Sequence, residues 1–153
     1  MKWSPAIKSI LNISEAANLG IHALAYMATL GAAEPVSAQQ IAEDLHVSES
    51  HLSKVLQKLA RDGLIESTRG AKGGFFFAKR PDKLTLLDIL VAVDGPLPVH
   101  GCLLGKPLCT TAPCRLKGLQ DRIAEMVGKE LGKIKLIDLT LKPAQKLKTK
   151  RTS

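Results

Sequence analysis

Residues 37–63 read SAQQIAEDLHVSESHLSKVLQKLARDG, and this stretch decides the fold. Ser37 stands three residues before Gln40, the spacing of a capping box, and Ile41, Ala42 and Leu45 then recur on one inner face; the pattern predicts a short helix. Val47 to Ser50 breaks that helix and offers a fresh N-cap, after which Leu52, Val55, Leu56 and Leu59 follow helical spacing until Asp62 and Gly63 stop the run. Two short amphipathic helices joined by a tight turn, with small Ala42 where they must approach closely, match a helix-turn-helix. The second helix of such a unit is built to enter the DNA major groove. His46 occupies the turn position that Gly often holds, and a side chain there tolerates the left-handed backbone less well, so a bent turn is expected.

Upstream, Ala17, Leu19, Ala23, Leu24, Met27 and Leu30 recur at spacings of three and four from Ser14, which predicts a helix with one buried face ending near Gly31. Downstream, Leu64 to Thr68, the glycine-rich Arg69 to Gly74, and Phe75 to Ala78 read as strand, turn and strand. Phe75 and Phe77 alternate onto one face that can pack on the helices, leaving Arg69 and Lys72 at the hairpin tip. Thr85 caps a further helix through Leu86, Leu87, Ile89, Leu90 and Val93, which ends at Gly95 and Pro96. The expected fold is mainly α with a small β-hairpin wing: a winged helix-turn-helix over residues 14–95, after an N-terminal extension, residues 1–13.

Beyond Pro96 the character changes. Residues 96–115 are rich in Pro, Gly and Thr and hold all three cysteines, so they read as a loop that needs something to tie it down. Residues 116–141 follow, with Leu116, Leu119, Ile123, Met126, Val127, Leu131 and Ile134 spaced near 3.5 residues apart and charged side chains facing away. This is expected to be a long C-terminal dimerisation helix, the competing reading being a helix folded back on its own domain. Gly118, Gly128 and Gly132 lower helix propensity but permit close approach of a second helix. Residues 142–153 form a basic tail expected to be disordered.

Bulk composition narrows the choice of partner. Among 153 residues, 22 are Lys or Arg and 14 are Asp or Glu, for a formal charge of +8. Five of the 22 (Lys142, Lys146, Lys148, Lys150 and Arg151) sit in the acid-free tail, leaving 17 against 14 elsewhere. The body is thus only mildly basic, and a DNA site must be argued locally. The longest apolar run, Leu84 to Val93, is interrupted by Asp88 and is about half the roughly 20 residues that a membrane span needs. With no signal-peptide pattern at the N-terminus, the protein is expected to be cytoplasmic, where its cysteines stay reduced.

Ser50, His51, Ser53, Lys54, Gln57 and Lys58 avoid the apolar stripe of the second helix of the pair, and the first four lie in its N-terminal turns, where base edges are read. Together with Ser48 they are the DNA-reading candidates. Arg69 and Lys72 on the wing suit the minor groove, whose negative potential attracts Arg. Ser37 and Gln39 open a helix whose N–H groups and dipole suit a phosphate. Cys102, Cys109 and Cys114, with six and then four residues between them, form neither a Cys-x2-Cys zinc pair nor a redox pair. Three thiolates can converge on one soft centre such as an iron–sulfur cluster; buried or oxidisable thiols are the alternative. No activated nucleophile with a base and orienter is visible, so an enzyme is not expected.

In this order, the helix from Ser14 to Ala28, the helix-turn-helix, Arg69-Gly-Ala-Lys-Gly-Gly-Phe75, Thr85-Leu-Leu-Asp88 and the cysteine segment resemble the Rrf2 family of bacterial winged-helix regulators, over roughly Ser14 to Leu141. The resemblance implies a homodimer formed through the long helix and a cluster held by Cys102, Cys109 and Cys114. It also implies a recognition helix opened by Ser48, Ser50 and His51, with Arg69 as the minor-groove arginine. In IscR-like members a His three residues after the last Cys completes the cluster. Lys117 stands there, and an ammonium cannot coordinate iron. The NsrR-like branch can draw its fourth ligand from the partner's first helix, at a position matched here by Asn18, with Glu15 one turn earlier and His100 beside the loop as other candidates. A four-iron cluster is accordingly expected ahead of a two-iron one. The function implied is a repressor on a palindromic double-stranded operator, with a cluster that senses redox stress, nitric oxide or iron–sulfur status. The alternative is a cluster-less regulator answering to a partner protein or metabolite.

Overall fold

The computed structural model describes residues 13–31, 35–70, 73–96 and 115–139. Five helices and one hairpin follow in order: α1 (Glu15–Thr29), α2 (Ala38–Leu45), α3 (Glu49–Arg61), β1 (Ile65–Thr68), β2 (Gly74–Phe77), α4 (Leu86–Asp94) and α5 (Arg115–Lys133). The helix starts fall where the sequence put them, though of the Ser37–Gln40 box only the serine's half forms. Ser14 caps α1 by accepting the Ala17 N–H, and Ser37 caps α2 by accepting that of Gln40. Thr85 and Asp88 make a full reciprocal capping box at α4, which satisfies two of the N–H groups a helix start leaves unpaired.

Leu24, Met27, Ile41, Leu52, Leu56, Leu59, Ile65 and Ile89 are fully buried in one core shared by α1, α2, α3, β1 and α4. Removing each such side chain from water stabilises the fold by roughly 1.5–3 kcal/mol. The helices cross at Gly20 of α1, where a β-carbon would lie 3.2 Å from Val55 Cγ1, 3.4 Å from Val93 Cγ2 and 3.6 Å from Leu59 Cδ1. A bare backbone on α1 therefore lets α3 and α4 both approach it, and this crossing sets the placement of α3.

The strands pair antiparallel with Ile65 opposite Phe77 and Thr68 opposite Gly74. A further tie was not expected: Val36 donates to the Phe75 carbonyl at 2.9 Å and accepts the Phe75 N–H at 2.8 Å. Gly74 makes that approach possible, since a β-carbon there would meet the Val36 carbonyl carbon and oxygen at 2.6 Å. The hairpin is thus fastened to the segment entering α2, and Phe75 and Phe77 pack against the core as their alternation predicts.

The expected dimerisation helix divides in two. Leu116, Leu119 and Met126 are 50%, 45% and 60% exposed, whereas Leu131 is 7% exposed and Leu136, in a short 3-10 turn over Leu136–Leu139, is fully buried. Behind Lys133 the chain bridges to the start of α4: Leu86 donates to the Ile134 carbonyl (3.0 Å) and Leu136 to the Leu84 carbonyl (2.9 Å). The stripe read from sequence as one intermolecular seam therefore covers the chain's own core at its C-terminal end. Residues 97–114, with His100 and the three cysteines, lie outside the described residues, as do Lys72 and the two terminal segments.

Candidate nucleic-acid interface

The turn between α2 and α3 is closed by His46 in the left-handed region, φ 55° and ψ 45°. Its N–H reaches the Glu43 carbonyl at 3.3 Å and Val47 N–H reaches that of Ala42 at 3.0 Å, satisfying the last carbonyls of α2. Histidine is among the side chains enriched at positive φ, which is how the turn forms without Gly, at a local cost of about 1 kcal/mol. Tyr26 of α1 braces the pair by donating its hydroxyl to the Asp44 carboxylate. Burial and that carboxylate push the phenol above its ordinary value of 10.0, with Gln40 opposing.

On α3 the buried residues Leu52, Val55, Leu56 and Leu59 define one side. At 100° per residue the opposite side is centred on Ser50, Lys54, Gln57 and Arg61, all exposed. Arg61 is a cation that the sequence reading left out. Its position one turn beyond Gln57 on the same stripe is the signal that would have found it. Among the described residues no ion pair engages Lys54 or Arg61, so their charge faces solvent unneutralised. Ser48 is the N-cap residue of α3 but makes no side-chain cap bond; its hydroxyl instead meets that of Ser50 at 3.0 Å. The N–H groups opening α3 therefore lack an internal side-chain acceptor. His51 and Ser53 flank the stripe, half-buried.

Other predicted residues are placed differently. Lys58 is exposed but leans toward α4, where its ammonium donates to the Val93 carbonyl at 3.0 Å. Reach explains the difference, because Lys58 projects from the flank of α3 that meets α4 and its four-carbon stem spans the gap. Ser37 is half-buried with its oxygen capping α2, and Gln39 donates to Glu43 at 2.9 Å. Arg69 is exposed just past the end of β1.

Beside the helix-turn-helix lies a cavity of about 490 Å³ whose wall includes Glu15, Asn18, His22, His46, Ser48 and His51. Glu15, Asn18 and His22 sit at i, i+3 and i+7 on the exposed face of α1, so the two α1 residues singled out from sequence share one cavity with three imidazoles. His22 Nδ1 donates to the Asn18 carbonyl at 2.8 Å in the tautomer that bond requires, leaving Nε2 for another partner. His22 was missed because one His on a helix face carries no local signal. Among the described residues no group of three His, Cys, Asp or Glu side chains is close enough to hold a metal ion.

The family model for Rrf2, described as an iron-dependent transcriptional regulator, matches residues 13–142. The chain belongs to the Rrf2 family. Solved structures of Rrf2 regulators superpose on 84–86% of it. CymR (YrzC), the global cysteine regulator of B. subtilis, is 28% identical, with 86% of this chain and 97% of that one covered and a TM-score of 0.70. IscR of T. potens is 26% identical, covering 84% and 85% of the two chains at a TM-score of 0.66. CymR of Staphylococcus aureus is 25% identical, covering 84% and 98% at 0.66. This chain is therefore a winged-helix DNA-binding transcriptional regulator, of a family whose members are generally dimeric. No described helix is long and apolar enough to cross a membrane.

Proposed function

We propose that the protein is a cytoplasmic homodimeric repressor whose affinity for a palindromic operator is set by an iron–sulfur cluster. The observation that carries this reading is the order of parts: a helix-turn-helix with an unneutralised cationic stripe, a wing, a segment of three cysteines, and then a helix with an exposed apolar half. In the major groove, Ser50, His51, Ser53, Lys54, Gln57 and Arg61 read bases and phosphates, while Ser48 and the opening N–H groups of α3 take a phosphate. Arg69 and Lys72 enter the minor groove, and Ser37 and Gln39 stand near the backbone. Two copies meet through the exposed half of α5, which places half-sites a whole number of helical turns apart, about 10 bp or a multiple.

The donor set fits a cluster. Cys102, Cys109 and Cys114 supply three thiolates within 13 residues, the ligands iron–sulfur centres prefer. The α1 face offers oxygen and nitrogen donors in Glu15, Asn18 and His22, and His100 lies just before the segment. When bound, such a cluster ties one segment of chain to a single centre that oxidants or nitric oxide can alter. Anaerobic absorption and Mössbauer spectra with iron and sulfide analysis test this. Brown protein whose operator affinity changes on air or nitric oxide exposure is expected, and colourless protein without iron or sulfide ends the reading. On the DNA side, Lys54→Ala should weaken binding across all sequences and reduce the salt slope of log K by about 1.

A second reading is favoured by one finding, the 28% identical neighbour described as the global cysteine regulator of B. subtilis. On it the DNA module is the same but answers to a metabolite or partner protein. Replacing all three cysteines by Ser would then leave regulation intact.

A further inference from the structure

The last turn of α4 is gripped from two sides. The final carbonyls of a helix have no partner within it, and α4 has no basic residue in its own last turn. Lys58 of α3 supplies the donor at Val93, bringing a cation to the negative end of the α4 dipole. Asp94 in the same turn opposes that dipole and so calls for a partner of its own. It finds one in Ser14, whose hydroxyl donates to Asp94 Oδ1 at 2.5 Å and whose N–H approaches Oδ2 at 3.4 Å. Ser14 is at once the N-cap of α1, accepting the Ala17 N–H at 2.9 Å. One residue further on, Gly95 turns with φ 88°, and the chain runs into the cysteine segment.

We infer that Lys58 and Asp94 are positioning residues for DNA recognition: they make the C-terminal end of α4 the joint through which the state of the cysteine segment sets the placement of α3 and the start of α1. The inference rests on the regulatory reading above in taking that segment as the receiver of the signal. Apolar contacts around Gly20 fix where α3, α4 and α1 cross, and the two polar contacts act beyond that crossing, at the ends. A shift of the α4 end thus turns the helices about their crossing. Lys58 lies one turn from Lys54, in the middle of the reading stripe, and contributes little to the core because it is exposed. Lys58, Arg61, Asp62 and Asp94 line a cleft of about 480 Å³ between the two helix ends, which leaves room for that movement.

The test uses the full chain and the variants Lys58→Met, Lys58→Arg and Asp94→Ala. Operator affinity is measured anaerobically after reconstitution with ferrous iron and sulfide, and again after chelation, with cluster content read by absorption. Wild type should change affinity at least about fivefold between the two states. Lys58→Met should hold that ratio within about twofold at equal cluster content and unchanged salt slope. Lys58→Arg should restore it, since a guanidinium still donates to the carbonyl. Asp94→Ala should shrink the ratio as well and speed amide exchange in the first turn of α1. The inference is overturned if Lys58→Met loads normally and keeps the full ratio, or if its salt slope falls by about 1, which marks a phosphate contact. Should wild type take up no iron, the cluster reading fails by itself, and the joint is tested by alkylating the thiols with iodoacetamide. Amide exchange across α3 should then change in wild type and not in Lys58→Met. An equal response in both, or none in wild type, also overturns it.

Discussion

The two ends of α5 carry the same kind of residue to opposite ends. Leu116, Leu119 and Met126 are left in the open, while Leu131 and the Leu136 that follows the helix are buried. Periodicity alone cannot separate them, because both lie on one apolar stripe. What separates them is the backbone beyond Lys133, which pairs with the entrance of α4 through Ile134, Lys135 and Leu136 and pins only that end to the domain. An amphipathic helix can thus be shared between an intramolecular and an intermolecular role, with the division set by a short return of chain and not by the helix itself.

Breaking the anchored end should have the largest effect. Leu136→Ala removes a fully buried side chain and should lower stability by about 2–5 kcal/mol in urea unfolding of the apo protein. At the open end, Leu119→Glu combined with Met126→Glu should leave the unfolding of the monomer within about 0.5 kcal/mol per site. It should turn a dimer into a monomer by light scattering and weaken operator binding at least about tenfold. A dimer that survives would show that the exposed residues serve something else. The smallest expected effect concerns the Glu125–Lys129 pair on the open half, 2.7 Å apart. The hydrogen bond and charge of Lys129 hold the Glu125 carboxyl below its ordinary 4.5, and Glu125 holds the Lys129 ammonium above 10.5. The carboxylate contribution is present above pH 4.5 and lost as pH falls through the lowered value. The ammonium contribution is present below pH 10.5 and lost as pH rises through the raised one. Amide protection in this half, corrected for the intrinsic pH dependence of exchange, should therefore be greatest between those limits and fall with added salt.

Helices were legible because their signals are local. Ser14, Ser37 and Thr85 announced three starts, Gly31, Gly63 and Gly95 three ends, and the two spacings of apolar residues gave the helices and the wing. The Val36–Phe75 tie and the return over residues 134–139 were not, since such pairing depends on which surfaces meet in three dimensions. The candidate site was legible in the same proportion. A polar residue on an exposed stripe can be read from spacing, as Ser50, Lys54 and Gln57 were. Whether a long side chain on the flank ends in solvent or at a neighbouring carbonyl depends on the neighbour, so the bond from Lys58 to Val93 of α4 could not be read from spacing. The cavity that unites Glu15 and Asn18 with His22, His46 and His51 needed α1 to be laid against the turn before it existed.

The pinned end of α5 also acts as a pivot. From Leu131 back to Leu116 the helix runs 15 residues, about 22 Å at 1.5 Å per residue. A rotation of about 10° at the anchor then swings the far end by roughly 4 Å, more than half a turn of the same helix. In the dimer proposed above, a small repacking at Leu131 and Leu136 is in this way geared up into a change of spacing between two reading heads, whose target is a duplex with a fixed pitch.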